Sequence, residues 1–133
     1  MHSKKLLNLI ALLALSVFLL NFSGNQFYWY YTIWYFDIIV HFLGGFWTGL
    51  LAVYLFHLDV TGRSALKVLG FVLLIGISWE LFEIFSDKLV SADYFNLSDT
   101  LADLIFDFLG GAAALFYYRK IIMLPAENNV QSS

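Results

Sequence analysis

The sequence predicts an all-α, polytopic membrane protein built as a bundle of four transmembrane helices. Two observations predict it. Of 133 residues, 61% are hydrophobic and only 13% are charged, with a mean hydropathy of +0.78. A soluble chain of this length cannot hide so much apolar surface, because small domains bury a limited fraction of their area. The apolar residues also gather into four runs, each near the roughly 20 residues a helix needs to cross about 30 Å of hydrocarbon. The runs are long and lack the polar–apolar alternation of a membrane β-barrel. A chain of this length has room for one domain, read as residues 1–120.

The first helix is read at about 6–22. Lys4 and Lys5 precede it as they would a signal peptide, but "NFSGNQ" follows in place of a small-residue cleavage pattern, so it reads as an uncleaved span. Its core carries no charge. Asn8 and Ser16 read as packing contacts, which places this helix on the outside of the bundle. The stretch "NQFYWYYTIWYF" follows as an aromatic belt, since amphipathic rings prefer the headgroup level. The second helix is read at 35–57 and the third at 65–85. The fourth is read at 99–118, with Asp99 and Thr100 suiting its N-cap. Residues 121–133, ending "AENNVQSS", read as a polar, disordered cytoplasmic tail.

Basic residues predict the orientation. Lys4, Lys5, Arg63, Lys67, Arg119 and Lys120 fall on one side of a four-span arrangement, and Lys88 falls on the other. The positive-inside rule then puts both termini in the cytoplasm of a multi-pass protein of the cell (inner) membrane.

The ionisable residues inside these spans predict a site. Asp37 and His41 lie in the second helix, Glu80, Glu83 and Asp87 in the third, and Asp99, Asp103 and Asp107 in the fourth. All belong to the outer half of the bilayer in this topology. Steps of three and four residues keep each set on one helical stripe. Gly44, Gly45, Gly76, Gly110 and Gly111 continue those stripes, and small residues mark faces where membrane helices approach closely. The acids are therefore expected to point into the bundle. Intramembrane charges are costly, and clustered carboxylates do not all stay ionised without a compensating charge.

Three readings of the cluster follow. In the first, Asp37, His41, Glu80, Glu83, Asp103 and Asp107 hold one divalent cation, in the manner of inward-facing carboxylate and His ligands of helix bundles. A single imidazole among oxygens suits Zn, Mn, Mg or Ca. Such a site would serve envelope-related chemistry, including water activation on a lipid-linked substrate, or recognition of a lipid-linked or envelope ligand. In the second, the residues belong to a proton- or cation-coupled transporter or an ion-handling subunit. In the third, they are protonated packing acids in a structural membrane protein. The partner common to all three is the lipid bilayer. With no cysteine there are no disulfides, thiolate metal sites or cysteine nucleophiles. No serine nucleophile has a suitable partner, no glycine-rich loop suits a nucleotide, no redox cofactor is indicated, and no basic patch suggests nucleic acid.

The motifs "DIIVHFLGGF" (Asp37, His41, Gly45, Phe46), "WELFE" (Glu80, Glu83) and "DTLADLIFDFLGG" (Asp99, Asp103, Gly110) together resemble the YjdF-type family of small bacterial and archaeal inner-membrane proteins. The resemblance spans Asp37 to Ala112. It implies the architecture and the position of the site, and no particular activity. The same motifs are more loosely similar to VanZ-like proteins, some of which are linked to resistance against teicoplanin-type glycopeptides. Those proteins usually show Gln soon after the Glu and Asn on the last helix, where this sequence has Glu83 and Asp107.

Overall fold

The computed structural model describes residues 2–57, 61–90 and 95–132. Helix α1 covers His2–Gln26, and one helical turn, α2, covers Trp29–Thr32. Helix α3 covers Phe36–Phe56, α4 Gly62–Val90 and α5 Leu97–Tyr117. A π-helical segment, Tyr118–Met123, then leads into α6, Leu124–Gln131. Four stretches are long and apolar enough to cross a membrane: Ser3–Gln26, Phe36–Phe56, Gly62–Ser86 and Leu97–Gln131. The side chains of Asp87 and Lys88, which the sequence reading assigns to the acidic stripe and its flank, lie outside the described set.

Local chemistry accounts for the ends. The chain's one proline, Pro125, sits in the first turn of α6, where a missing backbone N–H leaves no hydrogen bond unmade. Residues from 124 onward are helical up to Gln131, in contrast to the disordered tail expected from their polarity. The π-helical segment carries the backbone from α5 into α6 without a break, so polar residues extend a helix that apolar packing has already nucleated. Helix α5 is capped by Asn96, whose side chain accepts from the Ser98 backbone N–H at 3.1 Å. The cap is thus three residues earlier than the Asp99–Thr100 position expected. Asp99 instead sits in the first helical turn, where a carboxylate faces the positive end of the helix dipole.

Helix α3 is the centre of the bundle. It packs along α5, while α4 lies against both α5 and α3, and α1 lies against α3. The α3–α5 approach is backbone to backbone. A Cβ on Gly45 would collide with the Asp107 carbonyl, and one on Gly110 with the Phe42 carbonyl. Glycine at both positions is what lets two helices close to that distance, as small residues do in membrane interfaces generally. Away from the acids, Ala52, Val53, Val68, Val72 and Leu115 form one buried cluster. A second, Leu6, Ile10, Leu50 and Ala114, ties α1 to α3 and α5. The Trp47 indole Nε1–H donates to the Ile10 carbonyl at 3.0 Å and adds a polar tie between α1 and α3.

The other end of the bundle is closed by rings. Phe36 stacks edge-on with Trp29 and Tyr30, with ring centroids 5.5 Å and 4.9 Å away. Tyr31 and Trp34 stand out from the surface, 82% and 83% exposed, which suits the interfacial belt expected for this stretch.

Candidate functional site

Three helix ends meet beneath that aromatic cover: the N-terminal half of α3, the C-terminal half of α4 and the N-terminal half of α5. The i,i+4 spacing of Asp37 and His41 puts both on the inward face of α3. The same spacing aligns Asp103 with Asp107 on α5, and Glu80 reaches in from α4. His41, Glu80, Asp103 and Asp107 are each only 5% exposed, although all are polar. Room for the Asp107 carboxylate comes from Gly76, since a Cβ there would lie 2.6 Å from Oδ2.

His41 is the hub. Its Nδ1 lies 3.3 Å from Asp107 Oδ1. Its Nε2 faces Asp37 Oδ1 at 3.5 Å, Glu80 Oε1 at 3.9 Å and Asp103 Oδ2 at 3.9 Å. The Asp107 contact lies just beyond the roughly 2.7–3.2 Å typical of an N–H···O hydrogen bond, and the other three lie further beyond it. Glu80 Oε1 is also a buried oxygen without a hydrogen-bond partner among the described residues, a condition that costs about 1–3 kcal/mol when nothing compensates it. One ligand atom each from Asp37, His41 and Asp103 lies within 4.8 Å of the others, and the same holds for His41, Glu80 and Glu83.

Asp37, His41, Glu80, Glu83, Asp103 and Asp107 therefore lie together. Asp37, Glu80 and Asp103 surround Nε2, and Asp107 holds the opposite ring nitrogen. Glu83 stands at the edge, where its Oε1 accepts from the Trp79 indole at 2.8 Å. Asp99 is exposed near the start of α5, and His57 forms the C-cap at the far end of α3.

The acids open onto a cavity of about 340 Å³, lined among others by Asp37, Glu80, Glu83, Asp99 and Asp103. Helix α1, expected to be a bystander, contributes Asn21 and Asn25 to this wall. Asn21 Oδ1 accepts from the Tyr30 hydroxyl at 3.2 Å and from Asn25 Nδ2 at 2.8 Å. The i,i+4 pair of Asn21 and Asn25 was the available signal; Asn21 lies inside the span read at 6–22, but its partner lies past Phe22, in the part of the helix that continues to Gln26. Tyr30 stands outside the spans. Burial raises its phenol pKa well above the ordinary value, and the Asp37 and Glu83 carboxylates add to the effect, so the ring faces the cavity as a neutral hydroxyl.

Residues 3–122 match the family described as "Predicted membrane protein (DUF2238)". The chain belongs to this family. YjdF is a name within DUF2238, in keeping with the resemblance of the three motifs; the VanZ-like likeness is not among the findings. An uncharacterized protein of Thermotoga maritima is similar, 36% identical over 122 residues that cover 82% of this chain and 61% of the relative. This DUF2238 chain thus spans about three-fifths of that relative's length. No solved structure matches it at a significant level. It is an integral membrane protein of four spanning helices with a buried His and buried acids.

Proposed function

We propose that this DUF2238 protein holds one divalent cation between His41 Nε2 and the carboxylates of Asp37, Glu80 and Asp103. The observation that carries the reading is the division of labour on one imidazole. Nδ1 has its nearest carboxylate in Asp107 at 3.3 Å, while Nε2 is turned toward three oxygens from three helices at 3.5–3.9 Å. A carboxylate on the far nitrogen is the usual device that fixes the tautomer and ring orientation of a metal-ligating His. Ligands about 2.0–2.2 Å from a shared tetrahedral ion stand roughly 3.3–3.6 Å apart. The ligand atoms of Asp37, His41 and Asp103 lie within 4.8 Å of one another and so do those of His41, Glu80 and Glu83, so an ion would draw the carboxylates of the two sets inward around the shared imidazole. An ion would also satisfy the orphaned Glu80 oxygen and offset the mutual repulsion of the acids. The donor set of one nitrogen and three oxygens suits Zn, Mn, Mg or Ca.

In this reading the pocket lies in the outer half of the inner membrane, opens to the extracytoplasmic side, and serves envelope-related chemistry or ligand recognition. Such an ion polarises a bound oxygen or lowers the pKa of a bound water for hydrolysis. A route for protons or ions across a single chain is less well supported. Past Thr48 the described interior includes Leu50, Val53, Val68, Val72 and Ala114, with Ser64 the buried polar residue at the start of α4.

The test is thermal melting of the detergent-purified protein in EDTA and then with each ion, alongside elemental analysis. A saturable rise of several degrees with one ion is expected, because an ion that prefers the folded state stabilises it by mass action. The rise should vanish in His41→Ala and in Asp103→Asn. If no ion changes the melt and both variants melt at least as high as wild type, the cation reading is wrong and the acids are protonated packing groups.

A further inference from the structure

A second hollow lies on the opposite side of His41. Helices α1 and α4 both rest on α3 and leave a groove between them of about 180 Å³. Val17 of α1 and Val72 and Ile75 of α4 line it with apolar surface, while His41 and Asp107 form its inner wall. The space exists because α3 carries glycine there: a Cβ on Gly44 would meet nothing within 4 Å. The groove lies within the membrane-spanning parts of α1, α3 and α4. An open void in hydrocarbon forfeits dispersion contacts, and outside the His41, Asp107, Asn21 and Thr48 corner the wall offers water few of the two to four polar partners it needs. Lipid chains are what fills such a groove.

The two hollows share a border. Asn21 lines both, and His41 presents its ring to the groove and its Nε2 to the carboxylates of the acidic cavity. One ligand that is apolar at one end and polar at the other fits both. The polar end must suit carboxylates, since no lysine or arginine lines the acidic cavity among the described residues. Even with a cation on Asp37, Glu80 and Asp103, Glu83 and Asp99 remain to face it. An ammonium group makes charge-assisted hydrogen bonds to such acids, whereas an unaccompanied anionic head is repelled. We propose that this groove binds a hydrocarbon chain of a membrane lipid whose amine-bearing head passes Asn21 into the acidic cavity. This goes beyond the cation reading and does not require it.

The experiment is native mass spectrometry of protein reconstituted in bilayers of equal parts phosphatidylethanolamine and phosphatidylglycerol, then released into mild detergent with EDTA present. The expected result is one retained phosphatidylethanolamine per chain, at least about tenfold over phosphatidylglycerol, a preference equivalent to about 1.4 kcal/mol. Gly44→Leu, which fills the groove from α3, should lose the lipid while melting no lower than wild type. Ile75→Trp narrows it from α4 and serves if the first variant folds poorly. The double variant Glu83→Gln with Asp99→Asn should keep a lipid but lose the head preference. Wild type that retains no lipid, or retention undiminished in a groove variant of normal stability, overturns the proposal. Equal retention of both lipids overturns the assignment of the head. Because EDTA is present, a retained lipid together with an ion-independent melt would discard the cation reading alone.

Discussion

The two ring nitrogens of His41 stand in different surroundings, and that difference is the most informative feature at the scale of single residues. Asp107 acts on Nδ1, not on the space beside Nε2, so it is a positioning residue in the cation reading. Asp107→Asn should therefore lower cation affinity about 10–100-fold, the usual cost of losing such an outer partner, while calorimetry still finds one ion at saturation. His41→Ala should lose binding outright. Tyr30 makes a separate prediction. Its phenol pKa is raised in the folded protein by burial and then by Asp37 and Glu83, so the folded state disfavours the phenolate. Its stabilising contribution is complete below the ordinary tyrosine value of about 10 and is lost as pH rises further. In an alkaline absorbance titration of the native protein, Tyr30→Phe should remove a late-ionising phenol and leave the earlier ones in place. Loss of an early phenol instead would show Tyr30 to be wetted. The sequence placed the acids on inward stripes because periodicity is local. It left open which acid touches which nitrogen, because that depends on distances between helices.

At the scale of elements, helix approach is set by where a methyl group fits. Gly44 and Gly45 are adjacent in sequence and opposite in consequence. Gly45 faces the Asp107 carbonyl, and Gly44 faces open space. Gly45→Ala should destabilise by at least about 1–3 kcal/mol through overpacking, and Gly44→Ala should be neutral or stabilise by up to about 1 kcal/mol through helix propensity. Chemical or thermal unfolding in the same detergent checks both, and equal effects would mean that α3 is rotated from the orientation described. The start of α5 carries a smaller effect: Asn96→Ala removes its cap and should cost about 1 kcal/mol. The cap was missed in the sequence because Asp99 and Thr100 are themselves good capping residues, and only the backbone shows that the helix begins at Leu97. Helix α1 was missed as a wall of the cavity for a related reason. Its apolar run stops before Asn25, while its hydrogen-bonded helix does not.

At the scale of the whole molecule, the basic residues predict which end faces out. Lys4, Lys5, Arg63, Lys67, Arg119 and Lys120 share one end of the four-span arrangement, which predicts cytoplasmic termini. The chain has no cysteine, so single cysteines at Ser3 and Asn128 can be compared with one at Ser98 in intact cells. An impermeant thiol reagent should label Ser98→Cys and spare the other two; the reverse pattern would place the acidic cavity on the cytoplasmic side. By itself the sequence determined the membrane class, the four spans and the inward stripes of acid and glycine. These follow from hydropathy and helical period, which are properties of consecutive residues. Only the tertiary structure decided that His41 stands between Asp107 and three carboxylates, that α1 supplies Asn21 and Asn25, and that Gly44 opens a groove while Gly45 closes a contact. Those facts depend on how far apart the helices sit and how each is turned about its axis. That geometry is set by side chains meeting across interfaces, and no pattern along a single helix contains it.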